Sequence, residues 1–489
     1  LRVASVALAP SPALGRSCAQ GVGKAYGGHC MGAKLQSPPG PRGWALAGSL
    51  AALARGDLLE TFGRLVERYG PVFGIRLPTG PGLIMVAHPD GVERVLRSNR
   101  DNYIKGSVYD GARLLLGDGL VTSEGERWRR QRELANPAFR PARLARYLPA
   151  MADCTRELIQ DWAGYEGAAF NVGTEMGRLT LAIATRTLFG LDSRDLSAQA
   201  IAAFNTALTG IGRRGPSHLQ IPLWLPTRGN LRLRSALRQL DGIVYEIIAR
   251  FRAGQARQPE ATLLGAYIES RDPVTGQGMD DRQLRDEVMT LYLAGHETTA
   301  SLLAWSLYSL ARHPDVAERV HAELTRATLG DPPTLDQIKA LTYLSQVIDE
   351  VLRLYPPAWT VARNAIADYD LLGYRVRAGA IVMVSPYFTH RHPGFWPDPL
   401  RFDPERFAAQ SVRARHPFAY LPFSLGPRIC IGMQFALYEA RLVLAMILSR
   451  YRVEWAGEGE AGCRAAGTLR PDRDILLRVK PRSEGVGGG

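Results

Sequence analysis

The stretch at 291–305, LYLAGHETTASLLAW, constrains the fold of this chain more than any other. Its apolar residues run round every side of a helix, so it needs protein on all sides rather than one buried face. Such a helix belongs inside a domain large enough to surround it, and 489 residues supply one. Yet the centre of the stretch holds Glu297, followed by Thr298 and Thr299. Burying an unpaired carboxylate costs several kcal/mol even after relaxation. Something must either pair that acid or use it.

The rest of the chain reads as the surroundings of such a helix. Apolar residues recur at i, i+3 and i+4 in VERVLRSN, MADCTRELIQDWAGY, LRSALRQLDGIVYEIIARFR, VAERVHAELTRAT and LTYLSQVIDEVLRLY. Strand-like runs are few: PVFGIRLP, GLIMVAHP and YRVRAGAIVMVSP. The expectation is one large, mainly α domain over 37–481, with a small β region near its N-terminal third. Residues 1–36, rich in small residues and without periodicity, read as a disordered extension, with Met31 as a candidate natural start. An Arg-containing, acid-poor transit peptide is the rival reading. Residues 482–489, ending in GVGGG, read as a flexible tail.

No window approaches the eighteen or more apolar residues of a membrane span, so no transmembrane anchor is expected. The net charge is +13, but the six basic residues before the first acid, Asp57, account for nearly half of it. No basic stripe interleaves with aromatics, which argues against nucleic acid as a partner. Five cysteines are scattered with no CxxC pair, the usage of a reducing compartment, and one thiol is left available for chemistry.

That thiol is Cys430, within FSLGPRICIG at 423–432. Two glycines and a proline bend the chain around it, and the amphipathic run MQFALYEARLVLAMILSRY follows at once. Cys430 therefore stands at a helix start, where free N–H groups and the macrodipole favour a thiolate, with Arg428 adding positive charge. Gly426 permits a tight turn, and Gly432 omits a side chain where a flat ligand could come close. A lone cysteine before a helix is more often structural. The arrangement Phe-x-x-Gly-x-Arg-x-Cys-x-Gly is far more specific.

Phe423, Gly426, Arg428, Cys430 and Gly432 match the haem-binding loop of the cytochrome P-450 superfamily without departure, and from about residue 38 to 479 the chain resembles that family. The resemblance implies the cytochrome P-450 fold, with Cys430 as the thiolate ligand of haem iron, the ligation that pushes electron density toward O–O cleavage. It implies that Phe423 packs on the thiolate side. Glu350 and Arg353 match the family's Glu-x-x-Arg, alone a surface pair, and Arg406 of Pro404–Phe407 is its expected third partner in a buried structural network. Trp128 and Arg132 share one helical face as i, i+4 donors, and they resemble the family's haem-propionate contacts. Arg428 and Arg363 complete that cradle by the same resemblance. His390, Arg391 and His392 compete for a place in it or are structural.

The opening acid then has a function. Glu297 and Thr298 match the acid–alcohol pair of the family's oxygen-binding helix: Thr298 to hold dioxygen and its waters, Glu297 to relay protons. Water and a neighbouring hydroxyl would make the buried carboxylate tolerable. The Thr298 hydroxyl is expected to bond a carbonyl one turn back and widen the helix there, and Gly295 to leave room above a planar cofactor. His296 is expected to face away and fill core space.

By resemblance the chain is an O₂-dependent monooxygenase using haem b (iron protoporphyrin IX), hydroxylating or epoxidising an apolar substrate. Its electrons, ultimately from NAD(P)H, come through a separate acidic ferredoxin or flavodoxin and its reductase. The monomeric, cytoplasmic bacterial members are the nearest likeness, with mitochondrial targeting the alternative. Residues 103–120, 204–224, the oxygen helix and 358–361 are expected to line a pocket for a lipophilic molecule. The unusual apolar bulk of LQIPLWLPTRGN (219–230) would guide that molecule or fill the core. A haem-binding sensor or a catalytically silent homologue, the alternative reading, would not need Glu297 and Thr298, and a zinc protein would need further Cys or His at ligand spacing from Cys430.

Overall fold

The computed structural model describes residues 35–77, 80, 82–165, 167–192, 194–214, 222–271 and 276–482. Almost all of the expected extension and tail, and residues 219–221, lie outside them. The chain divides into two compact units.

The first unit joins the chain up to Ile104 with Thr360–Arg401 and Arg415–Arg428. Its centre is a five-stranded sheet in the order Val72–Ile75, Leu83–Val86, Ile381–Val384, Val361–Ala365 and Tyr103–Ile104. Leu83–Val86 and Ile381–Val384 run parallel, with Val86 opposite Val384, while the other neighbours are antiparallel. The inward residues Val72, Ile84, Val86, Val382 and Val384 close over Val92, Val95, Leu96 and Leu421. These are β-branched side chains on a pleated, half-buried surface, where they fit best. The expected N-terminal sheet thus draws two of its five strands from 361–384. VERVLRSN, read as plain α-helix, is a helical turn at Pro89–Glu93 followed by a π-helical turn at Arg94–Ser98.

The second unit, Lys105–Trp359, Phe402–Ala414 and Ile429–Gly489, is mainly helical. Its axis is the helix Asp281–Arg312, started by Asp280, whose carboxylate accepts the Gln283 N–H at 2.7 Å. Val172–Leu188, Arg228–Arg252, Thr342–Leu354 and Met433–Arg450 pack on it. Every residue from Leu302 to Leu310 is buried, and the Trp305 ring lies flat on Tyr355 at 3.9 Å. Burying one such side chain is worth about 1.5–3 kcal/mol. Protein therefore surrounds this helix, as its all-round apolar sequence requires. Two small sheets complete the unit: Phe170–Asn171, Leu476–Pro481 and Tyr451–Trp455 in one, the hairpin Cys463–Ala465/Leu469–Pro471 in the other.

The Glu-x-x-Arg pair lies in this unit and is fully buried. Arg353 grips Glu350 with two bonds of 2.6 and 2.8 Å, the Asp403 N–H adds a third at 2.8 Å, and Arg406 stands 3.6 Å away. Burial pushes the Glu350 carboxyl up, and these cationic and N–H partners oppose it. A buried pair is tolerable because its remaining lone pairs are satisfied in this way.

Candidate functional site

Cys430 lies two residues before Gly432, the N-cap of Met433–Arg450. Its sulfur is accessible, yet burial pushes the thiol up from its ordinary value. Accessible area and desolvation point different ways, and both hold if the thiol opens onto a recess rather than the outer surface. The Gly432 N–H and the Arg132 charge favour the thiolate, as the sequence suggests, but burial outweighs them. A thiol so placed keeps its proton until a metal cation replaces it.

The helix Gly125–Ala135 carries Trp128 and Arg132 one turn apart, both half-buried. Arg132 donates one N–H to the Ile429 carbonyl at 2.8 Å, fixing the chain just before Cys430. That anchor was not expected of a propionate ligand, and the rest of the guanidinium fork is left to meet a carboxylate. A Cβ placed on Gly432 would find only Cys430 Sγ and Phe139, each 3.9 Å away, so the glycine leaves space beside the sulfur.

The central helix bears the acid and the alcohol. Thr298 donates its hydroxyl to the Ala294 carbonyl at 2.9 Å, as expected, but the helix stays α throughout and no widened turn is present. One bifurcated carbonyl is too little to open a turn that neighbouring helices hold. Ala294 is nonetheless exposed and Thr298 partly so, on a helix otherwise deep in protein. Gly295 does not contribute to that opening. Its missing Cβ points at Ala184 and Leu188 of the adjacent helix, 3.5 and 3.9 Å away, and serves helix–helix contact instead.

Glu297 corrects the sequence reading most sharply. What pairs this carboxylate is protein, from the C-terminal hairpin. Oε1 accepts from Arg470 Nε at 2.9 Å, from Arg470 Nη2, and from the Thr468 hydroxyl. Both donors escaped the sequence reading because they stand some 170 residues away. Thr468 lies in the bend before the strand Leu469–Pro471 that carries Arg470, so no pattern in the sequence pairs the two with Glu297. His296 is buried against Phe204, its imidazole pushed down to about 4 by burial, so it is neutral at physiological pH.

The first unit holds the other predicted residues. Gly426 has φ +71°, and a Cβ there would meet the Leu96 carbonyl at 2.2 Å, so this turn requires glycine. Phe423 and Arg428 beside it are half-buried. Arg363 is buried in the strand Val361–Ala365 and donates to the Ala362 carbonyl at 2.7 Å. His390 Nε2 accepts the Leu421 N–H at 2.9 Å, a contact that serves the fold.

An accessible but desolvated thiol, a glycine that leaves space beside it, and an opened face on an otherwise enclosed helix fit a flat metal-bearing cofactor. They are features that a haem-thiolate protein requires. The comparisons agree. Residues 38–471 match the sequence profile of the Cytochrome P-450 family. The chain is 38% identical to the cyclooctat-9-en-7-ol 5-monooxygenase of Streptomyces melanosporofaciens, over 86% of this chain and 92% of that one. It is 34% identical to the pentalenene oxygenase of Streptomyces avermitilis, over the same shares. The crystal structure of the cytochrome P-450DA haem domain superposes with a TM-score of 0.80 at 29% identity, covering 92% of this chain and 98% of that one. The chain belongs to the cytochrome P-450 family and is a haem monooxygenase that uses O₂ and receives its electrons from a redox partner. No described helix is long and apolar enough to cross a membrane.

Proposed function

We propose that the protein hydroxylates a cyclic terpenoid, with residues 37–481 as the haem-binding domain and Cys430 as the thiolate ligand of haem b. The observation that carries the substrate class is the pair of Streptomyces relatives, whose names specify cyclooctat-9-en-7-ol and pentalenene. Trp128, Arg132, Arg363 and Arg428 bind the propionates, and Phe423 and Gly432 line the sulfur side. When bound, the haem supplies the redox chemistry that activates O₂. One oxygen atom enters a substrate C–H bond, and the other leaves as water with two protons and two electrons.

The chain's own residues supply the protons. Thr298 holds a water chain on the opened face of the central helix, and Glu297 takes protons from solvent and passes them along it. Electrons come from NAD(P)H through a reductase and an acidic ferredoxin or flavodoxin, which suits a basic chain. The enzyme acts as a monomer in a bacterial cytoplasm.

Optical titration of the holoenzyme with cyclic terpene hydrocarbons and alcohols, set against fatty acids and steroids, tests the substrate class. A spin-state change at micromolar terpene with little response to the others is the expected result. Preference for a fatty acid or steroid would overturn it. The reduced, carbon-monoxide-treated protein should show the red-shifted band of thiolate ligation, which Cys430→Ser removes.

A further inference from the structure

The three donors on Glu297 converge on a single oxygen. Arg470 Nε, Arg470 Nη2 and the Thr468 hydroxyl all meet Oε1. Oε2 has no hydrogen-bond partner among the described residues. The Glu297 side chain is 11% exposed, which leaves little room for the carboxylate to turn.

Arg470 is itself held. Its Nη1 donates to Asn205 of the helix Arg194–Arg214 at 3.1 Å. The hairpin that carries it is fastened on both sides of the acid. Ser301, one turn beyond Glu297, donates to the Leu469 carbonyl at 3.1 Å. Leu469 N–H donates to Pro357 at 2.8 Å, and the Trp359 indole donates to Ala466 at 3.1 Å. Thr468 and Arg470 flank the buried Leu469, so hairpin and carboxylate cannot shift independently.

We infer that Arg470, assisted by Thr468, is a positioning residue that pins Glu297 through Oε1 and reserves Oε2 for the travelling proton. The proposal rests on Glu297 being the proton relay. Oε2 accepts a proton from one water and gives it to the next, so the carboxylate is regenerated at each pass. The Arg470 charge keeps Oε1 from competing for that proton. The bonds at Pro357, Trp359 and Asn205 transmit the position of the surrounding walls to the acid. A substrate that presses on the hairpin therefore changes how well protons are delivered, and coupling efficiency becomes part of substrate selection.

The test uses the holoenzyme, a small ferredoxin with its reductase, and the terpene giving the largest spin-state change. Product formed per electron pair, peroxide released and the solvent isotope effect are compared for Glu297→Gln, Arg470→Ala, Arg470→Lys and Thr468→Val. Arg470→Ala is expected to lower product per electron pair about tenfold, less than the roughly 10²-fold or more that a positioned proton-transfer group contributes, because the acid itself remains. Peroxide and the solvent isotope effect should rise with it. Arg470→Lys should recover most of the loss, and Thr468→Val should show the same effect in smaller measure. If Glu297→Gln uncouples but Arg470→Ala and Thr468→Val do not, the clamp is wrong and the relay stands. If Glu297→Gln changes nothing, the relay falls and the clamp with it. Thermal unfolding of the same proteins gives a readout independent of turnover: Glu297→Gln and Arg470→Ala should be non-additive. Additive shifts would overturn the clamp.

Discussion

Glu287 and His296 sit nine residues apart on the central helix, and burial shifts their proton affinities in opposite directions. The Glu287 carboxyl is pushed up to about 8, chiefly by burial, against the opposing Leu120 N–H that it accepts at 3.3 Å. The His296 imidazole is pushed down to about 4. A carboxyl with a raised folded value stabilises the fold while protonated, and that contribution declines as pH rises from 4.5 through 8. A depressed imidazole costs stability only below 6.5, where the unfolded chain takes up a proton that the folded chain refuses. Between pH 6.5 and 8 Glu287 therefore acts without His296. Across that window its contribution should fall by about 2 kcal/mol at most, at about 1.4 kcal/mol per pH unit. Denaturant midpoints at the two pH values should show this decline, and Glu287→Gln should flatten it. An unchanged slope in that variant would place the proton elsewhere.

Among the elements, the burial of the central helix is legible in the sequence, but Asp281–Arg312 is about twice as long as the stretch 291–305 and differs from its reading in detail. Gly295 resembled a family position, and that likeness suggested a cofactor-facing gap, whereas its vacant side meets Ala184 and Leu188 at ordinary contact distance. Alanine fits there, so Gly295→Ala should raise stability by roughly 0.5–1 kcal/mol, the helix-propensity difference, in thermal melts of the holoenzyme. A loss of more than that would mean the two helices cannot part by even a few tenths of an ångström. Residues whose partners lie one helical turn away are legible: Glu350 with Arg353, and Thr298 with Ala294. Arg470 and Thr468 were not, because a hairpin of three-residue strands is too short to show alternation and its target is distant. The strand Tyr451–Trp455 was hidden by the helix that runs directly into it.

At the scale of the whole molecule, the Glu350 cluster joins the helix Thr342–Leu354 to Asp403 and Arg406, some fifty residues on. Arg353→Leu strands a buried carboxylate and should cost roughly 3–5 kcal/mol in chemical denaturation. Replacing Glu350 and Arg353 together by leucine should cost less than either change alone. A double change costing the sum of the two single ones would mean that the pair carries no coupling. The mixed sheet imposes a different long-range condition. Leu83–Val86 lies beside a strand that follows it by nearly 300 positions. A ribosome adding about 5–20 residues per second needs roughly 15–60 s to deliver that strand. Throughout that interval the nascent chain offers an unmatched, wholly apolar edge to whatever is near, so yield in a host cell should depend on chaperone supply more than on the final stability of the enzyme.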